Sequence, residues 1–171
     1  MKARPLIVLA VAAGIAAATA ATPGCPATSW AVPASEPSAE ACDWVTTDEA
    51  AGILNESVTA DPLLDEPGSV EISCAYHGSE GDGVESDLRL SGAFKTDAAA
   101  QFALVSAGNV ATVGDLGVKS VCVVEPRTTP PSSTVVVLLS GDRLYRATGW
   151  YALSCDTLRQ FAAVAIGRIG A

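Results

Sequence analysis

The chain has 171 residues, with ten Lys and Arg against nineteen Asp and Glu, a formal charge of −9 at neutral pH, and 49% of its residues are hydrophobic. That length suits one domain. The acid excess argues against a nucleic-acid partner, which needs a basic face, and against adsorption to anionic lipid headgroups.

Lys2 and Arg4 precede an uncharged run from Pro5 to Gly24. Its apolar part, LIVLAVAAGIAAATAA, is 16 residues long and rich in alanine. A bilayer span needs roughly 20 strongly apolar residues, so residues 1–24 read instead as an export signal: basic start, apolar middle, small-residue end. Its removal leaves eight bases against nineteen acids, a net charge of −11.

Cys25 follows at once, and after it come Pro26, Pro33 and Pro37 among Ala and Ser, with no periodicity. Residues 25–41 therefore read as a semi-extended tether. Five cysteines cannot all pair with one another, and an exported chain enters an oxidising compartment. Lipid attachment at Cys25, behind the small residue Gly24, leaves an even set of four. The segment Thr22-Pro23-Gly24-Cys25 lacks the usual Leu three before the cysteine. The alternative is cleavage after Ala18-Thr19-Ala20, which leaves Cys25 a free thiol on a secreted protein.

The folded domain is expected over residues 42–171. In CDWVTTDEAAGIL, Thr46 and Glu49 have capping-box spacing, and Ala50, Ile53 and Leu54 share a helix face. NESVTADPLLDEPGS, with two prolines, reads as a loop. SVEISCAYH (69–77) is a strand with Val70, Ile72, Cys74 and Tyr76 on one side, and VESDLRLSGAF (84–94) alternates, Leu88, Leu90 and Phe94 inward, Asp87 and Arg89 outward. TDAAAQFALVSAG (96–108) is a helix whose buried side is Ala98, Phe102 and Val105. VATVGDLGV reads as a glycine-punctuated loop and KSVCVVE (119–125) as a strand. TVVVLLSGDRLYRATGW holds a hairpin about residues 140–143, and its VVVLL run, apolar on both faces, belongs inside the sheet. SCDTLRQFAAVAIGRI (154–169) repeats Leu158, Phe161, Ala162, Ala165, Ile166 and Ile169 with the strongest helical period in the chain. The expected order is α-β-β-α-β-β-β-α. That makes an α+β domain with a five-stranded, mainly antiparallel sheet and helices largely on one face.

Four cysteines allow three pairings. Cys42–Cys74 and Cys122–Cys155 are expected, because each joins a helix N-terminal region to a strand, 32 and 33 residues apart. Closing loops of that size contributes roughly 3 to 4 kcal/mol each in the chain-entropy model. No C-x-x-C pair is present, and His77 is the one histidine, so no metal site and no cofactor is expected.

No residue is singled out as catalytic. His77 ends a strand, and no serine or cysteine sits in a nucleophile context. The acids Glu80, Asp82, Glu85 and Asp87 lack EF-hand spacing and read as a solvated turn and strand. Carboxylate catalysis would need two acids facing across a cleft, one with a raised pKa. Arg89, Arg143, Tyr145 and Arg146 would form a modest basic patch if their faces coincide; solvated strand positions are the simpler reading. Trp44, Trp150 and Tyr151 read as packing against the cystines.

With the CDWVTTDEAAGIL opening, the ISCAY cysteine, the VGDLG turn and the closing SCDTLRQFAAVAIGRI helix, residues 42–171 resemble a group of small exported lipoproteins of high-GC Gram-positive bacteria, a domain of unknown function. The resemblance implies an envelope location and a two-disulfide α+β fold, and it transfers no catalytic residue. The expectation is a non-enzymatic binding or accessory domain on the outer face of the cytoplasmic membrane, or a secreted one if Cys25 is not lipidated. Its partner would be an envelope protein, and membrane contact would run only through the lipid. One alternative is a carrier of a small apolar ligand in a cavity lined by Leu88, Leu90, Phe94, Phe102 and Phe161. Another is an extracellular sensor or partner subunit, marked by an exposed apolar patch.

Overall fold

Among the described residues, apolar alternation in the strands and one amphipathic helix to cover them yield a seven-stranded antiparallel sheet with four helices. The computed structural model describes residues 40–63, 71–79, 81, 83–90, 96–108, 110–111, 113, 115–151 and 153–170. The elements are α1 (Glu40–Asp43), α2 (Thr47–Leu54), β1 (Val58–Pro62), β2 (Glu71–Gly78), β3 (Gly83–Arg89), α3 (Ala98–Ser106), β4 (Val110–Ala111), β5 (Ser120–Glu125), β6 (Ser132–Leu139), β7 (Arg143–Trp150) and α4 (Cys155–Ile169). The sheet order is β1-β2-β3-β7-β6-β5-β4.

The five-stranded expectation is therefore wrong by both margins of the sheet. β1 lies in the stretch read as a proline loop, and β4 in the stretch read as a glycine loop. Neither announces itself locally. β1 has five residues, ends on Pro62 and is half exposed; β4 has two residues, both exposed. Each exists because a longer neighbour supplies its hydrogen bonds: β1 pairs along β2 from Val58↔Gly78 to Pro62↔Cys74, and β4 pairs with β5 at Val123 and Cys122. A proline is tolerated on such an edge, where one side of the strand needs no donor.

The opening helix is broken in two. Trp44 and Val45 turn into the core between α1 and α2, and Thr46 starts the second helix as a reciprocal capping box with Glu49. The helix-side core gathers Trp44, Val45, Tyr76, Val84, Val135, Val137, Tyr145, Leu158 and Phe161 under α1, α2 and α4. Phe161 meets Tyr76 edge-on at 4.9 Å, and the Tyr76 hydroxyl donates to the Val45 carbonyl at 2.7 Å. Gly149 lets α4 seat closely: a Cβ there would lie 2.8 Å from Leu153 and 3.0 Å from Leu158.

α3 lies on the opposite face, where Ala98, Phe102 and Val105 pack on Val121, Val136, Leu138 and Leu144. Helices on both faces explain why VVVLL is apolar on both sides: Val135, Val137 and Leu139 face α4, and Val136 and Leu138 face α3. Helices therefore lie on both faces, α1, α2 and α4 against one and α3 against the other.

The disulfides are Cys42–Cys74 and Cys122–Cys155, with Cα separations of 5.2 and 6.0 Å. The first ties α1 to β2; the second ties β5 to the first residue of α4. Cys25, the tether to residue 39, Val70 and Phe94 lie outside the described residues.

Candidate functional site

Strand register sorts the α3-side face of the sheet into rows. Near one end, His77 stands opposite both Thr59 and Gly83, and Trp150 stands opposite Ser132. The next row runs Asp61, Ala75, Glu85, Thr148, Thr134. Then come Ser73, Asp87, Arg146 and Val136, and last Glu71, Arg89, Leu144 and Leu138. α3 covers the apolar end of the last two rows. Among the described residues, no helix covers the half built from β1, β2, β3 and the Trp150 end of β7.

Two features occupy that half. The first is a cleft of about 290 Å³ with Ala75 and Gly83 in its floor and His77, Pro130, Trp150 and Tyr151 around it. Gly83 is required there, since a Cβ would fall 2.6 Å from the Tyr76 carbonyl oxygen. Tyr151 is 63% exposed and holds a φ of 58°, in the left-handed region that costs a non-glycine residue free energy. At the rim, His77 Nε2 lies 3.8 Å from Asp61 Oδ2, both side chains well exposed.

The second feature is an ion network. Arg146 Nε donates to both Asp87 oxygens at 2.7 and 3.0 Å, and its Nη2 donates to Glu71 at 2.9 Å. Arg89 Nε lies 3.0 Å from the other Glu71 oxygen. Burial pushes the Asp87 carboxyl up to about 7, against the pull of Arg146; Glu71 adds to the rise and Arg89 opposes it. Burial works against the Arg146 charge, but Asp87, Glu71 and Glu85 outweigh it and hold the guanidinium above its usual range.

Carboxylate oxygens of Glu71, Glu85 and Asp87 lie within 4.8 Å of one another, a spacing that a cation could use. Here two guanidiniums already neutralise two of the three charges. Asp87 has the raised pKa that carboxylate chemistry requires, yet its side chain is 1% exposed and clamped by Arg146. In this arrangement Arg146 on β7 links it to Glu71, joining β2, β3 and β7.

The residues singled out from the sequence divide accordingly. Arg89 and Arg146 do share a face, but Asp87 and Glu71 stand between them, so no basic patch forms. Tyr145 faces the other way, fully buried, hydrogen-bonded to Ser86 and edge-on to Trp44. Arg143 caps the end of α4, donating to the Gly170 carbonyl at 3.0 Å. Trp44 is core, as read, but Trp150 is half-buried and Tyr151 is exposed, both in the cleft, so neither packs against a cystine as expected. The signal was available: with Tyr145 inward, strand alternation turns Trp150 to the other face.

The proposed ligand cavity splits in the same way. Phe161 is sealed in the helix-side core, and Phe102 lies across the sheet, on α3. Leu88 and Leu90 do line an open groove of about 400 Å³ with Trp44, Ile72, Arg143 and Ile169. Glu80 and Asp82 lie outside the described residues. Comparisons with protein-family models, with curated proteins and with solved structures found no match to this chain.

Proposed function

We propose that this protein is a non-catalytic binding domain of the cell envelope, exported and lipid-anchored at Cys25, which engages its partner through the half of the sheet that α3 leaves uncovered. The observation that carries this reading is the Trp150–Tyr151 cleft: small residues in its lining, a half-buried Trp150 beside an exposed Tyr151, and a left-handed backbone at Tyr151. Exposed aromatics in well-formed concavities are the usual anchors of recognition. Anchoring is supported by parity, since the two cystines consume four cysteines and leave Cys25 over. Among the described residues, no helix is long and apolar enough to cross a membrane.

The test is photo-crosslinking in intact cells. A benzophenone side chain at Tyr151 is expected to trap a discrete partner, and the same group at Gln160, exposed on α4, is not. Equal yields from both positions would remove the binding face from the account. Detergent-phase partitioning tests the anchor: Cys25→Ala is expected to move the protein into the aqueous phase.

A second reading is favoured by the groove of about 400 Å³ under Leu88 and Leu90, whose apolar wall beside Arg143, Arg168 and Asp43 suits an amphiphile. Native mass spectrometry of protein from the producing cell would show a co-purifying lipid if the groove is loaded.

A further inference from the structure

We propose that the Trp150–Tyr151 cleft takes an arginine side chain of the envelope partner. The inference rests on the reading of the uncovered half-sheet as the binding face and specifies what that face grips.

Strand register puts aromatic and acidic side chains on two neighbouring rows of one face. Val84 pairs with Gly149, so the next residue of each strand brings Trp150 alongside Gly83, and His77 stands on the other side of Gly83. Trp150 and His77 are thus two strands apart, roughly 10 Å between their Cα atoms, and the glycine between them has no side chain. Tyr151 joins them in the lining and is 63% exposed. In the next row Ala75, also in the lining, lies between Asp61 on β1 and Glu85 on β3. A group seated over Gly83 and Ala75 therefore has aromatic residues along one row and carboxylates along the other.

The charge there favours a cation. Beside the cleft, Glu71 and Glu85 offset Arg89 and Arg146 even with Asp87 counted as neutral, and an ionised Asp87 only adds to the negative side. With the imidazole of His77 neutral, Asp61, its side chain 70% exposed at the rim, then stands in excess. In sequence Gly81 of the lining falls between Glu80 and Asp82, so its chain neighbours carry the same sign. An aromatic concavity bordered by acid is the setting for a cation–π contact, for which Trp is the best partner.

The guanidinium fits this setting better than an ammonium. It is planar, weakly hydrated and permanently charged, and it stacks on aromatic rings while its N–H groups donate to a carboxylate. The volume, about 290 Å³, lies at the small end of ligand sites and suits one side chain better than a lipid or a cofactor. The rest of the uncovered half-sheet remains for contacts from the protein that carries the arginine.

The experiment is a titration of the oxidised protein with a glycine-flanked arginine pentapeptide, blocked at both ends, followed by the indole N–H resonance of Trp150. The controls are the same peptide with citrulline, which keeps the shape and loses the charge, and with lysine, which keeps the charge and loses the plane. The arginine peptide is expected to give a saturable shift, citrulline to bind at least about tenfold more weakly and lysine several-fold more weakly. Asp61→Asn should weaken arginine binding several-fold with the melting temperature unchanged. Tyr151→Asn should do the same to binding, Asn being chosen because it tolerates the left-handed backbone. An indole resonance that the arginine peptide does not move overturns the proposal. So does citrulline or lysine binding as tightly as arginine, or arginine binding that neither variant weakens. If Tyr151 crosslinks a partner in cells while the peptide has no effect, the binding face stands and the arginine falls; if Tyr151 also traps nothing, both fall.

Discussion

Asp87→Asn separates two accounts of the buried ion network. The Asp87 carboxyl sits at about 7 in the folded protein against 3.8 for the ordinary side chain, with burial as the leading cause. Between those values the folded state binds more protons than the unfolded chain. Stability from this group is therefore full below about pH 4 and is lost as pH rises through about 7. The difference corresponds to roughly 4 kcal/mol by pH 8. Asn keeps the shape and an oxygen that can accept from Arg146, and it never ionises. Arg146 retains Glu71 at 2.9 Å, and its side chain is 27% exposed, so it is not stranded. In urea unfolding under non-oxidising, non-reducing buffer, Asp87→Asn should match wild type within about 1 kcal/mol at pH 4 and exceed it by a few kcal/mol at pH 8, with an unchanged slope. The reasoning is refuted if wild type gains stability relative to the variant over that window and the variant loses about 3 to 5 kcal/mol at pH 8. That outcome would make Asp87 an ionised anchor for Arg146.

The acid limb belongs to a different group. Hydrogen bonding from Arg168, with help from Thr46, lowers the Glu49 carboxyl to about 2, so its contribution is present above about pH 4.5 and fades as pH falls through about 2. Acid titration of Glu49→Gln should lack that part of the wild-type loss. Cys74→Ser should destabilise by about 2 to 5 kcal/mol, and non-reducing peptide maps should show only Cys42–Cys74 and Cys122–Cys155 among these four cysteines. Phe161→Ala should cost about 3 to 5 kcal/mol, since its ring is fully buried on Tyr76, and calorimetry checks it.

Much of the scaffold was legible because its signals are local. α4 carries its own period, Thr46 and Glu49 carry their own cap, and the buried faces of β2 and α3 follow from alternation and spacing. The cystine pairs were legible from parity and spacing. The two margins of the sheet were not, because β1 and β4 are strands by virtue of their neighbours rather than their composition. The candidate site was least legible. Arg146 meets partners 59 and 75 residues away, and that meeting needs the β2-β3-β7 order, which no local pattern prints. Trp150 and Tyr151 flank an expected cystine in sequence and so read as packing against it, whereas strand parity turns Trp150 to the opposite face and Tyr151 takes a positive φ and is exposed.

Hydroxyl-radical footprinting tests the binding face most directly, because the protein contains a matched pair of reporters. Tyr151 is 63% exposed in the cleft and Leu104 is 67% exposed on α3. In the purified protein each should be modified at the rate its own chemistry sets. On intact cells the account predicts that Tyr151 and Trp150 become several-fold less reactive while Leu104 stays as reactive as in solution. Equal reactivity of Tyr151 in cells and in solution, with the protein at its native abundance, would contradict the claim that this half of the sheet is occupied in the envelope.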